Sequence, residues 1–221
     1  MKPLETTFKR KETKYAVAKT DLENLIAYLK KYLVEDDYPT STISNIYFDT
    51  EDFEIIQDSL AGKNLKEKIR MRTYLAQPKA DSQVFLEIKS KDKTGLGHKY
   101  RLMAKPESIT QLITRGWVKV GISRKILVEE VQKLRQRYNN LLKSRMYIYY
   151  DRFSLKEKKK ITGFPYNKIR VTIDQNLTYR DENVSLFAGN KGLPLLDEDI
   201  VIMEIKAPGD KPKWLQDILD K

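Results

Sequence analysis

The stretch "KIRMRTY", residues 68–74, alternates basic and apolar side chains. Neighbouring side chains point to opposite faces in an extended chain. One face therefore carries Ile69, Met71 and Thr73, and the other carries Lys68, Arg70, Arg72 and Tyr74. A line of bases spaced by one pleat indicates a face that either meets water or binds a strongly anionic molecule.

The same alternation recurs along the chain and predicts about eight strands. They span residues 7–18, 43–49, 66–76, 83–91, 98–104, 146–153, 168–174 and 200–207. Hairpin-like spacing between several of them predicts a mostly antiparallel sheet. The charged faces of these strands carry Arg10, Lys14, Arg70, Arg72, Lys89, Lys99, Arg101, Arg152, Arg170 and Lys206. Four acids lie among these bases, namely Glu12, Glu87, Asp174 and Glu204.

Apolar residues at 3–4 spacing predict helices in residues 20–33, 123–142 and 211–220, and a shorter helix after Pro106. Thr20 and Glu23 have the spacing of a capping box for the first helix. These helices need an apolar partner, and the apolar strand faces are the large candidates. We therefore expect an α+β fold, a closed antiparallel eight-stranded β-barrel with amphipathic helices packed outside. Closure removes exposed strand edges and turns the charged faces toward one another.

The composition narrows the class of protein. A chain of 221 residues is expected to form a single domain over 1–221, and its net charge of +11 indicates a polyanionic partner. Bases that point into a barrel do not reach a duplex groove, so we expect no nucleic-acid binding. The chain has no cysteine, which excludes disulfides and thiolate chemistry. No signal-peptide pattern and no long apolar run is found in the sequence, so we expect a cytoplasmic chain that does not itself insert into a membrane, with a membrane partner left open.

Mixed arginine, lysine and glutamate on facing strands suits a phosphate chain with a divalent metal. Arginine offers a planar fork to two phosphate oxygens, and lysine offers a point charge. Carboxylates bind Mg²⁺ or Mn²⁺, which bridge phosphate oxygens. The charged faces are therefore expected to bind a phosphate chain together with Mg²⁺ or Mn²⁺.

Seven segments in order make the chain resemble a known family. They are "FKRKETKYAV", "NIYFDT", "KIRMRTY", "FLEIKSKDKTGLGHKYRL", "YDRF", "IRVTID" and "IVIMEIKAPGDKPKWLQDIL". In this order and spacing they are similar to the VTC (vacuolar transporter chaperone) polyphosphate polymerase domain of the triphosphate tunnel metalloenzyme superfamily. The resemblance covers nearly the whole chain and implies an eight-stranded tunnel and a metal-dependent polyphosphate polymerase. It also implies ATP, polyphosphate or pyrophosphate as ligands, with Mn²⁺ or Mg²⁺ as cofactor.

The resemblance also implies roles for individual residues. It places phosphate-gripping catalytic bases at Lys14, Arg70, Arg72, Lys89, Arg152 and Arg170. Further substrate-binding bases are expected at Arg10, Lys99, Arg101 and Lys206, and the metal-binding glutamate falls on Glu204.

One motif departs from the wider superfamily, which opens with Glu-x-Glu-x-Lys. Here residues 10–14 read Arg-Lys-Glu-Thr-Lys, so a base stands where the first acid would help to hold metal. This departure favours a polymerase over a simple triphosphatase or an adenylate cyclase. Two alternatives stay open: an inorganic triphosphatase in the same tunnel, and a non-catalytic module that binds polyphosphate or another polyanion.

Overall fold

The computed structural model describes residues 11–94, 96–117, 125–158, 169–207 and 211–219. The described residues fall into two compact units. Residues 43–149 and 179–193 make the first unit, and residues 11–42, 150–178 and 194–219 make the second. The predicted site residue Arg10 lies outside the described residues.

The described strands form one antiparallel sheet of nine strands. They are β1 (Lys11–Ala18), β2 (Leu33–Asp49), β3 (Lys66–Thr73), β4 (Val84–Lys91), β5 (Gly97–Ala104), β6 (Lys143–Glu157), β7 (Arg170–Arg180), β8 (Leu193–Pro194) and β9 (Ile200–Ala207). The hydrogen-bonded order is β1-β9-β7-β6-β2-β3-β4-β5, and β8 pairs with β7. The antiparallel α+β class is confirmed. Among the described residues β1 and β5 stand at the two ends of this order, so closure into an eight-stranded barrel is not confirmed and stays a prediction.

Five helices occur in the described residues. They are α1 (Lys19–Leu29), α2 (Glu54–Leu60), α3 (Pro106–Arg115), α4 (Lys125–Arg137) and α5 (Lys213–Leu219). The predicted capping box is wrong, because α1 begins at Lys19 with Ala18 as N-cap and no side-chain cap hydrogen bond. Pro106 occupies the first turn of α3, where its missing N–H costs nothing, and Gly116 ends α3 at φ +81°.

Two segments differ from the sequence prediction. Residues 33–42, where no strand was predicted, form the first part of β2, and α2 was not predicted at all. The Asp49 carboxylate accepts backbone N–H hydrogen bonds from Ile55 (2.9 Å) and Ile56 (3.2 Å), which satisfies donors at the start of α2. A helix of seven residues is too short to give a clear apolar period.

The core of the first unit packs strands against helices α3 and α4. Ile69 and Met71 from the apolar face of β3 belong to the same buried cluster as Ile109, Leu112 and Leu134. The apolar face of KIRMRTY is therefore covered by helices, as the alternation predicts. Lys68, Arg70 and Arg72 lie on the opposite face of the strand, away from this apolar cluster.

The core of the second unit also packs apolar strand residues against helices. Val171, Met203 and Ile205 from β7 and β9 are buried with Leu29 of α1 and Leu215 of α5. Leu33, predicted as the end of the first helix, is buried in this cluster from β2. On the opposite face of these strands, β7 carries Arg170 and Asp174 and β9 carries Glu204 and Lys206.

Candidate functional site

The first unit carries six bases on three adjacent strands, called here the β3–β5 basic group. They are Lys68, Arg70 and Arg72 of β3, Lys89 of β4, and Lys99 and Arg101 of β5. The strand register sets them in cross-strand rows: Arg70 pairs with Glu87, which pairs with Arg101, and Lys68 pairs with Lys89, which pairs with Lys99. Directly paired residues have neighbouring Cβ atoms. Five bases predicted from the sequence are thus brought together within one unit.

Glu87 organises this group from its middle strand. Its carboxylate lies 2.6 Å from Arg70 Nη2, 3.1 Å from Lys99 Nζ and 3.2 Å from Arg101 Nε. Burial by itself raises the pKa of Glu87, but the charges of Arg70, Arg72 and Lys99 outweigh it and hold the pKa well below the usual range. Glu87 is therefore an anion at all ordinary pH values and orients three bases at once.

Two β2 residues fix the arginines of β3. Asn45 Oδ1 accepts a hydrogen bond of 2.7 Å from Arg72 Nε, and the Tyr47 hydroxyl accepts one of 3.0 Å from Arg70 Nη1. Burial raises the pKa of the Tyr47 phenol, but the charge and hydrogen bond of Arg70 lower it overall. Arg72 is buried, with 6% of its surface exposed, so its guanidinium is held in a defined position.

The lysine row of the β3–β5 basic group has a different character. Lys68, Lys89 and Lys99 are direct neighbours on three strands, and like charges in that arrangement repel. Glu87, one pleat away, contacts Lys99. An anion bound beside this row would reduce the repulsion.

The second unit centres on Glu204 of β9. Glu204 pairs with Lys14 on β1 and with Thr172 on β7. Its carboxylate lies 2.7 Å from Lys206 Nζ and 3.9 Å from Lys14 Nζ. Burial raises the pKa of Glu204, but Lys206, Arg152 and Lys14 lower it overall, so the carboxylate stays charged.

Arg152 and Arg170, two arginines of the second unit that were predicted as site residues, each form an ion pair with an aspartate. Arg152 makes a two-pronged contact with Asp174, with Nε to Oδ1 at 2.6 Å and Nη2 to Oδ2 at 2.7 Å. Arg170 Nη2 lies 2.8 Å from Asp36, and about half of its side chain is exposed. Lys14 is more exposed still, at 65%. Arg152 is therefore rigidly placed, whereas Lys14 and Arg170 present reachable charge.

The second unit also contains oxygen donors suited to a hard cation. Glu204 is the charged donor, and the Thr172 hydroxyl beside it is buried without a hydrogen-bond partner in the described residues. The described residues contain no cluster of three acidic or histidine side chains that would hold a metal by themselves. One carboxylate completed by substrate phosphates is a common way to bind Mg²⁺, so these residues fit that mode.

Sequence reasoning and the structure differ in what surrounds the bases. Lys206 bonds to Glu204 and lies 3.6 Å from Glu12, so this predicted substrate-binding base is also an ion-pair partner. The sequence did not point to Asn45, Tyr47 or Asp36 as partners of the arginines. Asn45 and Tyr47 lie on one face of the segment "SNIYFD". Their roles become clear only when the strand pairing is known, because β2 sets Asn45 opposite Arg72 and Tyr47 opposite Arg70. Nothing local marks Asp36, which lies far along the chain from Arg170.

Comparison with protein families gives one match. The model described as the VTC domain matches residues 9–221. The match spans all the described strands and helices, including the β3–β5 basic group and the charged residues around Glu204.

Two solved structures resemble the chain at low identity, and the first of them shows the same fold. A candidate adenylate cyclase from Bacillus halodurans shares 14% identity with a TM-score of 0.52, covering 96% of this chain and 90% of its own. A candidate adenylyl cyclase from Hippeastrum, described as having a dominant triphosphatase activity, shares 12% identity with a TM-score of 0.46, covering 96% of this chain and 85% of its own.

No curated protein matches the chain. Within the described residues, no helix combines the length and apolarity needed to cross a membrane.

Proposed function

The chain belongs to the VTC domain family, and on that premise we propose that it is a metal-dependent polyphosphate polymerase. It would transfer the γ-phosphoryl group of ATP to the end of a growing polyphosphate chain and release ADP. Family membership supports phosphoryl chemistry on triphosphates, and the polymerase reaction is the more specific step that we add.

The lysine row carries this proposal. Lys68, Lys89 and Lys99 stand side by side, next to the row of Arg70 and Arg101 around Glu87. Successive rows on one sheet face are ~7 Å apart, so a linear string of phosphates can contact more than one row. A single compact anion spans less than the distance between the rows. The arrangement therefore favours a chain of phosphates as the ligand.

The proposed reaction requires no nucleophile from the protein. A terminal phosphate oxygen of the growing chain attacks the γ-phosphorus of ATP, and the bond from that phosphorus to the bridging oxygen of the β-phosphate breaks. Catalysis of such transfers rests mainly on alignment and charge neutralisation. Arg70, held by Glu87 and Tyr47, and the buried Arg72, held by Asn45, would supply fixed donors for phosphate oxygens.

The second unit carries further bases proposed to bind phosphate and the proposed metal-binding carboxylate. Lys14, Arg152 and Arg170 are proposed to bind phosphate oxygens, and Glu204 is proposed to hold Mn²⁺ or Mg²⁺ with the Thr172 hydroxyl beside it. The ion would neutralise charge on the phosphate oxygens when bound. Glu204 is already ionised, so it is ready for a cation without first losing a proton.

A direct assay tests the function. Purified protein is incubated with ATP and Mn²⁺ or Mg²⁺, long polyphosphate is detected on a gel, and ADP and orthophosphate are measured in parallel. We expect polyphosphate and stoichiometric ADP. Release of orthophosphate from ATP or tripolyphosphate without chain growth would replace the proposal with a triphosphatase. Tight binding without turnover would replace it with a binding module.

A further inference from the structure

One end of the β3–β5 basic group is apolar. Phe85 pairs with Arg72 on one side and with Met103 on the other, and Tyr74 follows β3 at the same end. Met103 is 57% exposed and Tyr74 is 43% exposed, which is unusual for large side chains on a face otherwise made of charges. We call Tyr74, Phe85 and Met103 the apolar shelf.

The apolar shelf is continuous with the bases. The Tyr74 and Phe85 rings meet edge to face with centroids 5.9 Å apart. The Arg101 guanidinium carbon lies 3.6 Å from the Phe85 ring centroid, and the Arg72 guanidinium carbon lies 5.9 Å from the Tyr74 centroid. Arg101 also contacts Glu87, so one side chain joins the shelf to the charged rows.

We propose that the apolar shelf binds the nucleobase of a nucleoside triphosphate whose phosphates lie on the β3–β5 basic group. This inference rests on the proposed function and names how its donor substrate is held. The ligand must have a flat apolar surface at one end and a string of negative charges at the other, and a nucleoside triphosphate has this form. An apolar peptide or a second copy of the chain would match the shelf but not the adjacent row of bases.

The chemistry of the shelf also sets its selectivity. Aromatic, guanidinium and thioether groups contact the face of a base, and every base offers such a face. The shelf therefore holds the nucleotide without reading its hydrogen-bonding edge. Purine nucleotides, having the larger rings, should bind somewhat more tightly than pyrimidine nucleotides.

A paired titration tests the shelf. Calorimetry measures the dissociation constants of ATP and of inorganic tripolyphosphate for the wild type, for the double variant Tyr74→Ala/Met103→Ala, for Tyr74→Phe and for Tyr38→Ala. Tyr38 is a matched control, since it is 81% exposed and lies on β2 in the second unit. We expect the double variant to bind ATP roughly tenfold more weakly and tripolyphosphate as the wild type does, because only ATP has a base that stacks on the shelf. Tyr74→Phe keeps the ring and should bind both ligands normally, as should Tyr38→Ala.

The paired ligands keep the outcomes distinct. Unchanged tripolyphosphate binding shows that the double variant is folded, and Met103→Ala alone provides a milder second variant. Equal weakening of ATP and tripolyphosphate, or no weakening of ATP, would overturn the inference. A wild type that binds tripolyphosphate but not ATP would overturn it too, while leaving phosphate binding intact. Failure of the polymerase assay with a preserved ATP-specific loss would reject the proposed function and keep the shelf.

Discussion

At the scale of single residues, Glu87 is the organising charge of the first unit. It contacts Arg70, Lys99 and Arg101, and it is 2% exposed. Removing one partner of a buried charge network leaves the others uncompensated. Glu87 therefore compensates the charges of Arg70, Lys99 and Arg101.

Glu87→Gln should reduce stability in a pH-dependent way. The pKa of Glu87 is lowered in the folded state, so its stabilisation is present in full above about pH 4.5, the range of an unfolded glutamate, and is lost as pH falls further toward the folded pKa. We expect a loss of about 3 kcal/mol near neutral pH. Urea unfolding of both proteins from neutral to acid pH measures it. A difference that stays constant as the pH is lowered into the acid range would contradict this account.

Arg72→Ala should weaken tripolyphosphate binding far more than Arg115→Ala. Both remove one positive charge, but Arg72 is buried beside Asn45 whereas Arg115 is exposed at the end of α3. A fixed charge-assisted contact is worth about 2–5 kcal/mol, and a screened surface charge contributes little. Titrations at low and high salt measure both variants. Matching losses that fade together with salt would indicate attraction by net charge alone.

Glu204→Gln should abolish metal-dependent turnover and spare metal-free tripolyphosphate binding. The substitution keeps the side-chain size and removes the charge that a hard divalent cation needs. Binding without metal is retained or slightly tighter, because Lys14 and Lys206 lose a competing anion. Glu35→Gln, at an exposed pair with Lys30, is the control and should leave turnover unchanged. Equal loss of turnover and of metal-free binding would make Glu204 a structural ion-pair partner.

At the scale of elements, each unit packs an apolar strand face against helices and carries charged residues on the opposite strand face. In the first unit α4 buries Leu127, Val131 and Leu134 and leaves Ile126 outside at 55% exposure. Successive residues of KIRMRTY alternate between the buried core and the basic face of β3, so core packing and the proposed binding depend on different residues.

Leu134→Ala should destabilise the fold without changing ligand affinity. Leu134 is fully buried, and loss of such a side chain costs about 2–5 kcal/mol through transfer and cavity terms. Ile126→Ala on the same helix is the matched control and should cost little. Chemical denaturation gives the free energies of unfolding, and calorimetry gives tripolyphosphate affinity at a temperature where the variant is folded. A large affinity loss in the folded variant would show that helix packing and the basic face are coupled.

At the scale of the whole molecule, the net charge of +11 acts on the rate of encounter more than on the bound state. Long-range attraction between exposed charges is screened by salt within a Debye length of about 10 Å at ordinary ionic strength. Buried contacts such as those of Arg72 are screened less. Exposed charges should therefore affect mainly the association rate of an anionic ligand, and buried contacts mainly its dissociation rate.

The double variant Lys79→Glu/Arg115→Glu should slow the association of tripolyphosphate and leave its dissociation nearly unchanged. Both residues are exposed, and the substitutions lower the net charge by four. Stopped-flow measurements over a series of salt concentrations give both rate constants. We expect the wild type and the variant to converge in association rate at high salt. A change confined to dissociation would mean that these surface residues contact the ligand.

Local alternation by itself determined the strands and the direction of their faces. Ile69 and Met71 are buried and Arg70 and Arg72 belong to a charged group because side chains alternate with period two, a property of the extended backbone that needs no knowledge of partners. The 3–4 spacing of apolar residues likewise predicted α3, α4 and α5, and ordered sequence motifs indicated the family. The predicted roles of Lys14, Lys89, Arg152, Arg170 and Glu204 remain predictions for the assays above.

Tertiary structure decided what each charge contacts. Register sets Glu87 between Arg70 and Arg101, Asn45 against Arg72, and Glu204 between Lys14 and Thr172, and a shift of one residue would reverse every face. The strand at residues 33–42 and the short helix α2 also escaped the sequence, since "LVEDDYPTST" lacks alternation and seven helical residues show too little periodicity. Side-chain alternation is local and readable, whereas pairing joins residues far apart in the chain, and only the folded sheet fixes it.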